Sequence, residues 1–419
     1  MEVVISPSSV SGNINAPASK SVMQRAVACA LLAEGRSEII NPSLCDDSLA
    51  SLSMAECLGA GISRLSDRVL IDGGFHPVCN SINCGESGLG ARVFSVLAAL
   101  GSEWMEVKGR GSLLKRPLKM LAETLTQMGV EVSTTDGSLP LRIKGPMRGG
   151  LAFVDGSVSS QFLTGLLIAM PVLDADSRII VKRLKSKPYI DLTINVLNHF
   201  GIELVNEDYE MFSIPGRQKY KPVSYTVEGD WSGTALLLVL AAIAGEIKVS
   251  GISYLSAQPD SLIIEILRKA GAHVEMGAND ILVRKSELSA FETDISDCPD
   301  LAPPLAVLAS RCRGKSVIHG TERLKVKESN RGEALATELS KMGVKISNHD
   351  NRIEVEGSTV IRGGRHGSYG DHRIAMALTV LSALADSEVV ISGTESVNKS
   401  YPSFFDDLNK IGMKFKITR

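Results

Sequence analysis

The chain has 419 residues, 44% of them hydrophobic, with 45 lysines and arginines against 47 acidic residues and a formal net charge of −2. That length exceeds one ordinary core and divides naturally into two domains, and the balanced charge gives no electrostatic basis for binding nucleic acid or an anionic membrane. The longest purely apolar run, Ala235 to Ala244, is too short for a bilayer, and the N-terminal segment reads as neither a signal nor a transit peptide, so a cytoplasmic protein is expected.

Cysteines 29, 45, 57, 79, 84, 298 and 312 form no C-x-x-C pair and no cluster with histidine. Neither a zinc site nor a disulfide is expected, and each cysteine is read as a small buried hydrophobe.

In chain order, one short pattern recurs: an apolar helix end, a glycine, then alternating apolar residues. It reads Leu58-Gly59-Ala60-Gly61-Ile62, Met128-Gly129-Val130-Glu131-Val132, Phe200-Gly201-Ile202-Glu203-Leu204, Ala270-Gly271-Ala272-His273-Val274, Met342-Gly343-Val344-Lys345-Ile346 and Ile411-Gly412-Met413-Lys414-Phe415. The glycines are 70, 72, 70, 72 and 69 residues apart. A glycine just past a helix takes the left-handed conformation that ends it, and the alternation predicts a half-buried strand. The chain is therefore expected to be six copies of one unit, three per domain. Counting back from the glycines, the preceding helices are expected to start at Asp47, Pro117, Pro188, Pro259, Arg331 and Pro402, proline being favoured in a first turn.

Each repeat carries a second, earlier helix whose start is polar. Pro17-Ala18-Ser19-Lys20-Ser21 leads into an apolar helix in which Ser19 or Ser21 is the cap and Ser21 and Arg25 share a face. Free N–H groups, helix dipole and cations make an anion site there. Cys84-Gly85-Glu86-Ser87-Gly88-Leu89-Gly90-Ala91-Arg92 opens the next; its G-x-x-G-x-G spacing, with no lysine following, is not a nucleotide-binding fingerprint, and Arg116 follows at the next helix start. Asp155-Gly156-Ser157-Val158-Ser159-Ser160-Gln161 crowds more hydroxyls than one cap needs, and Ser186-Lys187-Pro188-Tyr189 comes after it. The domain junction is expected between Glu207 and Trp231. In the second half the starts are Glu228-Gly229-Asp230-Trp231-Ser232, Asp297-Cys298-Pro299-Asp300, Lys327-Glu328-Ser329-Asn330-Arg331, Tyr369-Gly370-Asp371-His372-Arg373 and Lys399-Ser400-Tyr401-Pro402. Taken singly, Asp300 reads as a helix cap and the Lys327–Arg331 turn as a solvated surface pair.

The inventory holds no metal cluster, nucleophilic triad or dinucleotide fingerprint. Cations from both halves point instead to two small, highly anionic substrates held between the domains, with Asp300 and Glu328 for proton transfer.

These motifs resemble the 5-enolpyruvylshikimate-3-phosphate synthases, of the enolpyruvyl transferase family, along the whole chain. The resemblance rests on Lys20-Ser21-x-x-x-Arg25, Lys115-Arg116-Pro117, Asp155 to Phe162, Ser186 to Asp191, Val326-Lys327-Glu328-Ser329, Asp371-His372-Arg373 and Lys399. It implies an α/β fold of two domains, each an inside-out barrel of three βαβαββ units with helices inside and sheets outside. The domains would be 18–229, and 1–17 with 230–419. It further implies a monomer without cofactor or metal that binds shikimate 3-phosphate and phosphoenolpyruvate in the cleft and takes glyphosate as an inhibitor. Ser21 and Arg25 would hold the shikimate carboxylate, and Ser159, Ser160, Ser186 and Lys327 its phosphate. Gln161 would lie between the substrates, and Lys20, Gly88, Arg116, Arg331, Arg373 and Lys399 would hold phosphoenolpyruvate. Asp300 would be the base and Glu328 the acid, with Lys20 the alternative acid. Glu86, Leu89, Arg323 and Asn330 depart from the family pattern. The rivals are a UDP-N-acetylglucosamine enolpyruvyl transferase, disfavoured because Leu113-Leu114-Lys115-Arg116 lacks that family's loop cysteine, a non-catalytic anion-binding relative, and an RNA-end-processing enzyme.

Overall fold

The structure, a computed structural model, describes residues 1–157, 159–357 and 360–418. Val158 of the serine motif lies outside the described residues. The chain divides into two compact units, one of residues 18–227 and one of residues 1–17 with 228–419. The fold is α/β, each unit repeating a βαβαββ motif three times.

In the first unit the helices are α1 (Lys20–Leu32), α2 (Asp46–Cys57), α3 (Gly88–Ala98), α4 (Lys119–Gln127), α5 (Gln161–Ala169) and α6 (Pro188–His199). In the second they are α7 (Trp231–Ala244), α8 (Ile263–Lys269), α9 (Ala302–Ala309), α10 (Arg331–Lys341), α11 (His372–Ser382) and α12 (Phe404–Lys410). The two helices of a repeat differ in what they bury. All of α7, α9 and α11 is buried, as are all of α3 and nearly all of α1 and α5. A helix apolar on every side is stable only when surrounded, and α7, α9 and α11 pack on one another, as do α1 with α3 and α3 with α5. The later helix of each repeat is amphipathic. In α10 the buried set is Arg331, Gly332, Ala334, Leu335, Glu338 and Leu339, a single stripe at helical spacing.

Each unit wraps these helices with three four-stranded sheets. All six have one parallel pair followed by two antiparallel partners; Leu151–Asp155, for example, runs parallel to Ser177–Lys182, which is antiparallel to Met211–Ile214. The strands alternate buried and exposed residues, so one face of each sheet covers the helices. The chain does not respect repeat order at its ends. Glu2–Ser6 pairs with Val389–Ser392 and Lys414–Thr418, and Val10–Asn15 pairs with Gly245–Ser250, so both N-terminal strands complete sheets of the second unit.

The recurring glycines Gly59, Gly129, Gly201, Gly271, Gly343 and Gly412 all have positive φ, between 78° and 114°, as expected of helix stops. The helix starts are less regular than the prolines suggest. Pro188 and Arg331 are first residues, but α4 begins two residues after Pro117, α12 two after Pro402, and Pro259 opens a single 3-10 turn ahead of α8. Proline fixes its own φ but does not set the geometry of the residues that follow; Leu118 after Pro117 is outside helical values, at φ −122° and ψ 8°. The third repeat's strand also starts later than its pattern, at Val205.

One expectation is overturned. Cys57, at the end of α2, and Cys79 form a disulfide with Cα atoms 5.4 Å apart, a separation such bonds require. The Val78 amide donates to the Cys57 carbonyl at 2.9 Å, folding that loop back on the helix end. Such a tertiary return over 22 residues has no spacing signature. The other five cysteines are free and buried. Among the described residues no helix is long and apolar enough to cross a membrane.

Gly343 isolates the backbone term of the repeat. The nearest atoms a methyl group would meet there are those of the Arg362 side chain, at an ordinary 3.6 Å, while φ is +86°. Gly343→Ala is expected to lower stability by about 1–2 kcal/mol through left-handed strain, read as a lower urea midpoint with an unchanged slope.

Candidate functional site

In the first unit, helix N-termini carry the polar groups. Ser19 is the cap of α1, its hydroxyl accepting from the Val22 amide at 3.4 Å, which leaves Ser21 half-buried in the first turn. Lys20 donates to Asp47 in the first turn of α2 at 2.9 Å. Arg25 is buried, and its partners are all neutral oxygens: Thr193 Oγ1 at 2.8 Å, the Ser21 carbonyl at 2.8 Å, the Tyr189 carbonyl at 3.2 Å and Thr164 Oγ1 at 3.4 Å. Burial therefore pulls its pKa down to about 10, which still leaves it a cation at neutral pH. A desolvated guanidinium held by neutral acceptors lacks a counter-charge, and an incoming carboxylate supplies one.

Gly88, Arg116, Arg92 and Gln161 form one group. A Cβ on Gly88 would collide with the Arg116 guanidinium and lie 3.5 Å from Gln161 Oε1. Arg92 braces the group, donating to the Gly88 carbonyl at 3.0 Å, Gln161 Oε1 at 3.2 Å and the Pro117 carbonyl at 3.2 Å. Ser87 caps α3 and donates to Gln24 at 2.8 Å, tying α3 to α1. Ser159 Oγ accepts from the Gln161 amide at 3.1 Å, and Ser160 is buried at the start of α5. Ser186 is buried with φ +56° just before α6, a left-handed conformation that costs a serine free energy and concentrates at functional positions. Glu86 turns its carboxyl onto the backbone of Gly111, where a side chain would collide with it.

The second unit concentrates charge around Arg331, the first residue of α10 and fully buried. Its guanidinium donates to Asp371 at 3.0 Å, Asp300 at 2.8 Å and Glu328 at 2.6 Å. Burial alone would lower its pKa, but Asp371, Glu328 and Asp300 more than offset this and raise it. Asp300 is not a helix cap, since Cys298 occupies the cap position. Its carboxylate instead also accepts from Lys327 at 3.2 Å and Arg373 at 3.1 Å. The Lys327–Arg331 turn is thus no solvated surface pair. Asp371 caps α11 through the Arg373 amide at 2.9 Å and also accepts from Ser329 at 3.0 Å. Lys399 donates to the Gly370 carbonyl at 2.8 Å. Asn330 caps α10 and Arg323 donates to the Ser296 carbonyl at 3.3 Å.

Asp47, Gln24, Arg92 and Asp371 belong to these groups although the sequence assigns them no role. Asp371 had a signal, since it stands between a Tyr-Gly turn and an apolar helix where a cap belongs; the other three had none beyond being polar in helices that otherwise bury apolar faces.

Burial lowers the Lys327 pKa to about 8, with Asp300 pulling it up and Arg331 and Arg323 pushing it further down. The ammonium is charged below that pH and neutral above it. Binding of inorganic phosphate to Lys327 should therefore weaken as pH rises beyond about 8, and Lys327→Met should flatten that part of a calorimetric pH profile.

The sequence matches the family described as "EPSP synthase (3-phosphoshikimate 1-carboxyvinyltransferase)" over residues 4–408. It is 37% identical to a 3-phosphoshikimate 1-carboxyvinyltransferase of Clostridium novyi, covering 98% of this chain and 97% of that one. It is 38% identical to the enzyme of the same name from Methanocorpusculum labreanum, covering 98% and 99%. The fold resembles the crystal structure of an EPSP synthase from Acinetobacter baumannii, with TM-score 0.84, 26% identity and both chains covered completely.

Proposed function

The chain belongs to the EPSP synthase (3-phosphoshikimate 1-carboxyvinyltransferase) family, and on that premise we propose how its residues divide the work. The reaction moves the enolpyruvyl group of phosphoenolpyruvate to the 5-hydroxyl of shikimate 3-phosphate and releases phosphate. We assign the shikimate carboxylate to Ser21 and Arg25, the 3-phosphate to Ser159, Ser160, Ser186 and Lys327, and phosphoenolpyruvate to Lys20, Gly88, Arg116, Arg331, Arg373 and Lys399, with Gln161 touching both. The protein works in the cytoplasm as a monomer without a cofactor.

The observation that carries this reading is that Asp300 and Glu328 sit on the two terminal nitrogens of one buried guanidinium, Arg331, at 2.8 and 2.6 Å. A base and an acid fixed to one rigid fork have a fixed separation, the geometry that a concerted addition needs. Asp300 takes the proton of the 5-hydroxyl as the hydroxyl oxygen bonds to C2 of phosphoenolpyruvate, while Glu328, protonated once the anionic substrates offset the charge of Lys327 and Arg331, protonates the methylene carbon. The tetrahedral adduct then loses phosphate, which leaves with the proton held by Asp300, as Glu328, now a carboxylate, takes a proton back from the new methyl group and restores the double bond in the enolpyruvyl ether. Arg331 and Arg373 balance the charge of the leaving phosphate.

Phosphate release from phosphoenolpyruvate is expected with shikimate 3-phosphate and absent with UDP-N-acetylglucosamine; the reverse result would overturn the assignment. Glu328→Gln keeps the shape but cannot donate a carboxylic proton. Turnover should fall roughly 10²–10⁴-fold, with shikimate 3-phosphate affinity by calorimetry within a few-fold of wild type. Near-normal turnover would pass the acid's role to Lys20.

Gly88→Ala acts through a neighbour, because the added methyl displaces the Arg116 guanidinium. Affinity for phosphoenolpyruvate, and for glyphosate as its anionic mimic, should fall about tenfold, the worth of one charge-assisted hydrogen bond. Shikimate 3-phosphate binding should hold; equal losses would show that the loop is misassigned.

A further inference from the structure

Two turns beyond Arg331 on α10 lies Glu338, a fully buried carboxylate that the proposed chemistry does not use. It accepts three hydrogen bonds, from His366 Nδ1 at 2.9 Å, Lys341 Nζ at 2.8 Å and the Tyr369 hydroxyl at 2.8 Å. Burial by itself would raise its pKa, but these donors overcome that and bring it down to about 2, so it is an acceptor throughout the physiological range. His366 must then donate from Nδ1. Its Nε2 is buried with no partner among the described residues, an arrangement costing about 1–3 kcal/mol. The imidazole is thus retained at a cost, with Glu338 as its one side-chain partner.

The same carboxylate reaches a strained turn. Tyr369 and Gly370 are consecutive left-handed residues, φ +56° and +67°, between the strand Gly364–Gly367 and α11. Gly370 takes that conformation freely, but Tyr369 keeps it only where its surroundings enforce it. Ser368 Oγ holds the Gly370 amide at 3.2 Å from within the turn, and the Tyr369 hydroxyl on Glu338 holds it from outside. What the turn presents is the cationic machinery: the Gly370 carbonyl takes Lys399, Asp371 takes Arg331, and Arg373 is the second residue of the helix beyond.

We propose that Glu338 is a positioning residue for the phosphoenolpyruvate half of the site, acting through Tyr369 to hold the 368–371 turn in the conformation that places Lys399, Arg331 and Arg373. The inference rests on the substrate assignment above. Glu338 touches no substrate, and Arg331 and Glu338 make α10 a two-point clamp on one turn.

Tyr369→Phe removes only the hydroxyl, from a half-exposed ring. KM for phosphoenolpyruvate should rise about 5–10-fold, with shikimate 3-phosphate affinity within twofold of wild type and faster amide hydrogen exchange over 368–371. Glu338→Gln keeps an acceptor oxygen and should recover most of the phosphoenolpyruvate KM relative to Glu338→Ala. An unchanged KM for phosphoenolpyruvate in Tyr369→Phe, or equal losses for both substrates, overturns the proposal. If wild type shows no turnover, the substrate assignment fails by itself, and hydrogen exchange still decides the clamp: unaltered exchange in Tyr369→Phe overturns it, and exchange raised only across the turn upholds it.

Discussion

The second unit depends on one buried cation. Arg331 and Asp371 are both wholly inaccessible, and removing two such charges from water costs several kcal/mol per ion before any attraction is counted. That cost is recovered only if every donor is met, and Arg331 meets Asp371, Asp300 and Glu328 from three different stretches of chain. The consequence is geometric. The first turn of α10, the turn before α9 and the cap of α11 are fixed to one another more tightly than apolar packing alone would fix them, because losing any one carboxylate leaves the charge uncompensated.

Around Arg25 and Arg92 the first unit reaches the same end with neutral acceptors. Arg25 ties α1 to α5 and α6 through Thr164, Thr193 and the Tyr189 carbonyl, while Ser87 and Gln24 tie α3 to α1, and Arg92 ties α3 to α5. Here the counter-charge is left for a ligand, whereas around Arg331 the protein supplies its own. The contrast suits two of the roles assigned above, Arg25 for a carboxylate and Asp300 with Glu328 for proton transfer. A binding cation gains most when its partner arrives with the substrate, whereas a pair of proton-transfer groups must be in register beforehand.

Much of this was legible in the sequence because it repeats. Six glycines in register can be read without a structure, and all six take positive φ. The polar runs at helix starts were legible for a related reason: a first turn exposes N–H groups, so lysine, arginine and serine crowded there stand out against an apolar helix. What could not be read are contacts made by single residues at long separation. Asp47 reads as an ordinary acidic first-turn residue until the fold places it on Lys20. Arg92 closes the glycine-rich run without declaring a partner, and Glu338 carries no motif at all. Cys57 and Cys79 meet because a loop folds back on a helix end, which no local pattern encodes. Proline misled in the opposite direction, marking the neighbourhood of several helix starts without marking the first residue.

The positions that depart from the family pattern show what such a site requires. Asn330 caps α10 with a neutral group, its amide oxygen accepting from the Glu333 amide at 3.5 Å, so the cap adds no charge beside Arg331. Glu86 adds a carboxylate next to a cationic loop, but the backbone gives it a place: Gly111, left-handed at φ +59°, leaves room for that carboxyl against its Cα. Leu89, one residue into α3, is buried, and its neighbour Gly88 keeps the close approach to Arg116 and Gln161. In each case the substitution alters a side chain while the cap, turn or cation it adjoins is retained. The constraint therefore acts on the geometry of helix N-termini and on the number of cations each carbonyl or carboxylate must hold.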